Sequence, residues 1–322
     1  MSAEVKIPRA IAIVGCTASG KSALAMELCR RHGGELVSMD SMQVYRGMDI
    51  GTAKPTRIER AQVRHHMIDV VEPTESYSSG AYVEGAAAAI RDICARGKLP
   101  VLCGGTGLYL DGLLRGGYGE NFSDPAIRAE LEDYADEYGA PALHARLEAL
   151  DPESAAAIHP NNVKRVIRAI EICLVSGQTK TALDKQSQSA QPMVDALVFG
   201  IRYTNREVLY DRIGKRVDIM LRDGLVEETE QLLRAGVFEV NATAAGAIGY
   251  KEILPYLQGH ISLAQATEDL KTATRRYAKR QMTWFYAKPY VNWIDADPAG
   301  GRTFEEIVNI CETVCRQKHF LV

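Results

Sequence analysis

Apolar and polar positions follow two different periods along this chain. Ala10–Val14 (AIAIV), Glu35–Met39 (ELVSM), Met67–Val71 and Leu99–Cys103 (LPVLC) are short apolar runs of strand length. Between them, Ser22–Arg31 puts Leu24 and Leu28 on one face and Tyr82–Arg96 is rich in alanine, so both read as helices. Strand alternating with helix predicts a parallel sheet covered by helices on both faces.

The pattern changes at Gly116–Ser123, a glycine-rich break. From Asp124 to about Lys185 every segment reads helical. Asp124-Pro125 and Asp151-Pro152 each combine an N-cap with proline at the first helical position. Asn161 or Asn162 caps the run VKRVIRAIEICLVS, which Gly177 ends. After a polar linker, Ser187–Gln191, Ala196–Ile201 reads as a strand returning to the sheet. Helices follow over Arg206–Leu233 and Ile261–Tyr286, and Val291–Ile294 reads as a last strand.

Composition removes several classes. Charged residues make up 25% and apolar residues 46% of the 322 positions, values of a globular protein with room for two domains. No run approaches the roughly 20 apolar residues of a membrane helix. MSAEVKIPRA carries no long apolar stretch behind its basic residues, so a cytoplasmic protein without membrane contact is expected. No heptad repeat is visible, and a monomer is expected. The seven cysteines are scattered without a CxxC pair, which favours reduced thiols over zinc. The net charge of −3 provides no global field for nucleic acid, so any RNA site must be a local basic patch. His65-His66 is a poor metal pair, because neighbouring strand side chains point oppositely, and His159 before Pro160 reads as structural.

One motif carries chemistry directly. Gly15, Cys16, Thr17, Ala18, Ser19, Gly20, Lys21 and Ser22 fit G-x-x-x-x-G-K-[ST], with an apolar strand before and a helix after. Backbone N–H groups of such a loop converge on phosphate oxygens at a helix N-terminus. Lys21 supplies a mobile cation, and the Ser22 hydroxyl is a ligand for Mg²⁺ bridging the phosphates. The motif predicts binding of a di- or triphosphate, ATP among the candidates. The strand Leu99–Cys103 ends in Gly104-Gly105-Thr106-Gly107 with no acid, which counts against an ATP hydrolase and leaves a small-molecule kinase open. Asp40 ends the second strand, where adjacent parallel strands line the crevice of the phosphate loop. A base there could take a proton from an acceptor aligned with the bound phosphate.

Taken together, GCTASGKS (15–22), MDSMQVYRGMDIGTAKP (39–55), GGTGLY (104–109), IHPNNVKRVIRAIEI (158–172), GAIGYKE (246–252) and TRRYAKRQMTWF (274–285) resemble the tRNA dimethylallyltransferase, or tRNA isopentenyltransferase, family over about residues 10–295. The resemblance implies an α/β fold, a P-loop NTPase-like parallel sheet core (1–122 and 190–322) with a mostly helical insertion domain (123–189) that grips the anticodon stem-loop. It implies transfer of a dimethylallyl group from dimethylallyl diphosphate, with Mg²⁺, to N6 of the adenosine 3′ of the anticodon, the nucleotide being flipped from its stack. Asp40 matches the general base, and Thr17, Arg212 and Arg216 match groups around the diphosphate and reacting carbon. Asp40, Ser41, Met42 and Gln43 match the segment holding the adenine. Thr106, Arg128, the stretch Lys164, Arg165, Val166, Ile167 and Arg168, and the stretch Gly246, Ala247, Ile248, Gly249, Tyr250 and Lys251 match tRNA contacts. Cys16 stands where the family usually has proline, Ser22 where threonine is common, and Asn162 where aspartate is frequent.

Two basic stripes suit an RNA ligand on other grounds. Lys271, Arg275, Arg276, Lys279 and Arg280 crowd one predicted helix, with Tyr277, Trp284, Phe285 and Tyr286 among or just after them. Lys164, Arg165 and Arg168 share a second helix, whose Val166, Ile167 and Ile170 face a core. A kinase would need no RNA, and an adenylate isopentenyltransferase taking AMP or ADP would need no such insertion; these are the alternatives.

Overall fold

The computed structural model describes residues 7–115, 122–189, 191–297 and 302–321. Positions 116–121 of the glycine-rich break and Ala190 of the predicted linker lie outside them. In chain order the elements are β1 (Arg9–Gly15), α1 (Lys21–His32), β2 (Glu35–Met39), α2 (Arg57–Gln62), β3 (His65–His66), α3 (Ser79–Ala95), β4 (Pro100–Gly104) and α4 (Gly107–Arg115). Then come α5 (Pro125–Leu150), α6 (Pro152–Ala157), α7 (Val163–Ser176), α8 (Lys180–Ser189), β5 (Asp195–Arg202), α9 (Arg206–Arg222), α10 (Leu225–Arg234), α11 (Val237–Val240) and α12 (Ala242–Ala245). The remaining elements are α13 (Tyr250–Leu257), α14 (Leu263–Tyr286), β6 (Val291–Asp295) and α15 (Phe304–Gln317).

The strands form one sheet in the order β3-β2-β4-β1-β5-β6, with every pair parallel. Its central strands are buried on both faces. Ala12, Val14, Val37 and Leu102 pack with Tyr82, Ala86 and Ile90 of α3 on one side. Ile11, Ile13, Val101 and Phe199 pack with Leu24 and Leu28 of α1 and Cys311 and Cys315 of α15 on the other. Those near-continuous apolar runs are what a doubly covered parallel sheet requires. β1 lies between β4 and β5, so β2, β3 and β4 are laid down on one side of it and β5 and β6 on the other. The crevice of an open α/β sheet lies at such a switch point, beyond the carboxyl ends of the strands.

The chain divides into two compact units. Residues up to Leu114 and from Met193 onward form the unit that contains the sheet, and Arg115–Pro192 form the second. The second unit packs Leu131, Leu143 and Leu147 of α5 against Val166, Ile167 and Ile170 of α7. Its helices start as the sequence predicts: Asp124 caps α5 through the Ala126 and Ile127 amides, and Asp151 caps α6 through Ser154. Asp151 is tied down further, accepting hydrogen bonds from the Ser154 hydroxyl and from the amide and hydroxyl of Thr181 at 2.7–2.8 Å. Burial opposes its ionisation, but these donors win and hold it at about 2.

Three expectations need correction. Met67–Val71 is not a strand. Pairing with β2 is confined to His65 and His66, because Met67 and Asp69 adopt positive φ and Asp69 is pinned by Lys54 and Arg60. Ser187 to Ser189 continue α8 rather than forming a linker. Asn162 stands at the N-cap of α7, but its side chain caps nothing. Helices α2 and α15 lie where the pattern predicts no element, and each opens with a capping box, Thr56/Glu59 and Thr303/Glu306.

Candidate phosphate and acceptor site

The loop between β1 and α1 is the candidate anion cradle. Gly20 at its end has φ 92°, a left-handed conformation that glycine adopts without penalty. The Lys21 ammonium folds back over the loop and donates to the Cys16 carbonyl at 3.1 Å. The Ser19 hydroxyl is buried without a hydrogen-bond partner. Arg212 of α9 donates from Nε to the Ala18 carbonyl at 2.8 Å. Cys16, Ile213 of α9 and Ala278 of α14 share a small apolar cluster that seats both helices against the loop.

The electrostatics are lopsided. Among the described residues no carboxylate forms an ion pair with Lys21, Arg212 or Arg216, although ion pairs are frequent elsewhere on the chain. Burial drives the Lys21 ammonium below its usual range, and Arg216 adds to the shift by repulsion. Burial likewise lowers Arg216, with Asp40 opposing. Half-buried cations without an ion-pair partner are costly, so their presence argues for an anionic ligand that offsets the cost.

Asp40 follows the last residue of β2, within Coulombic range of Lys21 and Arg216. Its Oδ1 accepts the Met42 amide at 2.9 Å and the Gln43 amide at 3.4 Å, which fixes the carboxylate at the head of a turn. Among the described residues Oδ2 has no hydrogen-bond partner. Gln43 is fully engaged: Oε1 accepts from the Ser38 hydroxyl and Nε2 donates to the carbonyls of Thr52 and Ala53. Thr106, just past β4, ties this segment down. Its amide donates to the Met39 carbonyl at 3.1 Å, and its hydroxyl accepts the Ser41 amide at 3.2 Å. The phosphate loop, Asp40 and Thr106 thus stand beyond the carboxyl ends of β1, β2 and β4.

Two further residues, not singled out in the sequence, hold this arrangement. Gln281 of α14 accepts the Thr17 amide at 2.9 Å and donates to the Gly105 carbonyl at 3.2 Å. A Cβ on Gly105 would sit 1.9 Å from the Gln281 Nε2, so only glycine admits the contact. Glu228 of α10 accepts the amides of Asp49, Ile50 and Gly51.

In the stretch 246–251 only Gly246 and Lys251 are exposed; Gly249 is buried, and Ala247 and Tyr250 are buried in a core with Val44 and Tyr45. On α14, Arg276, Lys279 and Arg280 are exposed. Arg275 lies over the Tyr210 ring and Arg280 over Tyr277. In the second unit Lys164 and Arg165 are exposed, whereas Val166 and Ile167 belong to the core and offer no side chain outward. Arg128 and Arg168 are both bound to the buried carboxylate of Glu171, at 2.9 and 2.6 Å. His66 pairs with Glu35, and His65 Nδ1 hydrogen-bonds the Val63 carbonyl while its Nε2 is buried without a hydrogen-bond partner. Among the described residues no group of three His, Cys, Asp or Glu side chains is placed to hold a metal ion. No described helix is long and apolar enough to cross a membrane.

A doubly wound parallel sheet with this loop defines a P-loop-like α/β enzyme core. The "IPP transferase" family model matches residues 43–288, and the "Isopentenyl transferase" model matches residues 8–73. The chain therefore belongs to the IPP transferase family. It is 45% identical to a tRNA dimethylallyltransferase of Caldanaerobacter subterraneus over 92% of this chain and 94% of the relative, and 47% identical to one of Bacillus velezensis over 89% and 91%. The crystal structure of a full-length tRNA isopentenylpyrophosphate transferase from Bacillus halodurans matches with TM-score 0.71 and 41% identity, covering 97% of this chain and 96% of that one. A eukaryotic dimethylallyltransferase described as acting on tRNA matches with TM-score 0.76 and 31% identity, over 91% and 75%.

Proposed function

We propose that this enzyme moves the dimethylallyl group of dimethylallyl diphosphate onto N6 of the adenosine 3′ of the anticodon in tRNA, releasing diphosphate. The observation that carries the reading is the pairing of an anion cradle lacking counter-ions with one fixed carboxylate two strands away. The allylic C–O bond breaks readily because the cation it leaves is delocalised. The demand on the protein is therefore charge neutralisation on the departing diphosphate and alignment of the acceptor. Lys21, Arg212, Arg216 and the loop amides meet the first demand. As N6 closes on the allylic carbon its proton goes to Asp40 Oδ2, while Oδ1 stays anchored to the Met42 and Gln43 amides.

Mg²⁺ fits this cradle: Ser22 brings a hydroxyl to the first turn of α1, the Ser19 hydroxyl is buried and unpartnered, and diphosphate oxygens and water would complete an oxygen shell. When bound, it would neutralise charge on the leaving diphosphate. Support for tRNA as acceptor comes from the exposed cations of α14, Lys251, and the cations of the helical unit, Arg128, Lys164, Arg165 and Arg168. Such groups make salt-sensitive phosphate contacts that a mononucleotide would not need. That unit is assigned to the anticodon stem-loop, with the chain acting as a monomer.

The test is a label-transfer assay. Protein, Mg²⁺ and labelled dimethylallyl diphosphate are mixed with unmodified tRNA, AMP or ADP, and ATP consumption is followed in parallel. Label in tRNA alone is expected. Label in AMP or ADP only would move the acceptor, and ATP turnover without label would make the chain a kinase.

A further inference from the structure

We infer that Gln281 is a positioning residue for the transfer, a strut that sets the diphosphate loop against the segment carrying Asp40; the inference rests on the function proposed above. Three observations carry it. Gln281 is only 6% exposed, yet both ends of its amide are used, one on Thr17 and one on Gly105. The residue after Gly105 is Thr106, which clasps the chain on both sides of Asp40 through the Met39 carbonyl and the Ser41 amide. The strut is itself held, because Ala278 and Met282, on either side of Gln281 in α14, pack with Cys16 of the loop and Ile213 of α9.

The geometry explains why a strut is needed. The loop hangs from β1 and Asp40 from β2, and β4 lies between them, so the two are about 10 Å apart in the sheet. A phosphate loop normally turns its amides toward the anion. Here the Thr17 amide is turned to Gln281 instead, so this contact shapes the loop rather than binding charge. Transfer requires the acceptor nitrogen, the allylic carbon and the leaving oxygen to come into line. A misplacement of about 1 Å between the two halves costs about 10²-fold in rate.

The proposal also predicts where lost turnover goes. If the allylic C–O bond breaks without N6 in line, water adds to the same carbon. Dimethylallyl alcohol and diphosphate form, and the water's proton passes to solvent. Gln281→Met keeps the volume and removes both hydrogen bonds, and Gln281→Glu keeps the acceptor for Thr17 but loses the donor for Gly105. For Gln281→Met the expected result is a fall in kcat of about 10²-fold with KM for dimethylallyl diphosphate within about threefold, and a rise in alcohol formed per modified tRNA. Gln281→Glu should fall between it and the parent. If Gln281→Met unfolds, Gln281→Glu carries the same test. Either folded variant with parental kcat and parental partition between alcohol and tRNA overturns the proposal. So does a loss confined to Tm and to the fraction of active enzyme. Transfer by the unaltered protein is the control: without it the function fails, and the inference with it.

Discussion

The phenol of Tyr250 donates a 2.7 Å hydrogen bond to the carboxylate of Glu228, and that same carboxylate accepts three consecutive backbone amides, of Asp49, Ile50 and Gly51, at 2.8–3.0 Å. Tyr250 is fully buried, and burial pushes its hydroxyl far above the usual range, so it remains a donor at every accessible pH. The clasped loop continues to Thr52 and Ala53, whose carbonyls hold the Gln43 amide. Glu228 therefore supports the Asp40 segment from below.

Removing the two ends of this clasp should cost different amounts. Tyr250→Phe deletes one hydrogen bond and should lower stability by about 1 kcal/mol, whereas Glu228→Ala orphans three amides and should lower it by about 3 kcal/mol or more. Urea denaturation of both variants checks the order, and equal losses would show that the loop amides do not depend on Glu228.

Local signals and distant ones differed in legibility, as these residues illustrate. The phosphate loop and Asp40 could be read because each is announced by its immediate neighbours: glycines and lysine in fixed spacing, and an acid at a strand end. Gln281 and Glu228 could not. Their partners lie far away in sequence, 264 positions in the case of Thr17, and nothing local marks a glutamine or glutamate as a strut. The strand predicted at Met67–Val71 failed for a related reason. Its apolar pattern suits a strand, but Asp69 is drawn to Lys54 and Arg60, and the backbone turns to reach them. Helices α2 and α15 did carry a readable signal in their capping boxes, in stretches with no other cue.

The depressed Lys21 ammonium makes a thermodynamic prediction. Burial favours its neutral form in the free protein, so its protonation is lost at a lower pH than for an ordinary lysine. A bound diphosphate stabilises the charged form. Binding of diphosphate should therefore take up protons as pH approaches the lowered value from below, and affinity should fall as pH rises through it. Calorimetry in buffers of different ionisation enthalpy measures the uptake. Identical enthalpies in all buffers up to about pH 10, near the ordinary lysine value, would contradict it.

Arg128 and Arg168 face a second kind of constraint. Glu171 is fully buried and holds both guanidinium groups together with the Asp124 amide. Glu171→Gln keeps the shape but removes the counter-charge of two guanidinium groups whose side chains are 45% and 41% exposed, so solvent screening holds the cost to about 1 kcal/mol. Loss of tRNA affinity should accompany loss of thermal stability in this variant. In Lys164→Ala, by contrast, affinity should fall with Tm unchanged, because that side chain is exposed. Parallel Tm and filter-binding measurements separate the two, and a stable Glu171→Gln protein would show that the pairing is dispensable.

Proton removal by Asp40 is tested by single-turnover transfer. Labelled dimethylallyl diphosphate and saturating tRNA would be mixed with the unaltered enzyme and with Asp40→Ala. With tRNA saturating, the rate of the variant should be about 10²-fold lower or more. An Asp40→Ala enzyme that transferred at the parental rate with parental tRNA affinity would contradict it.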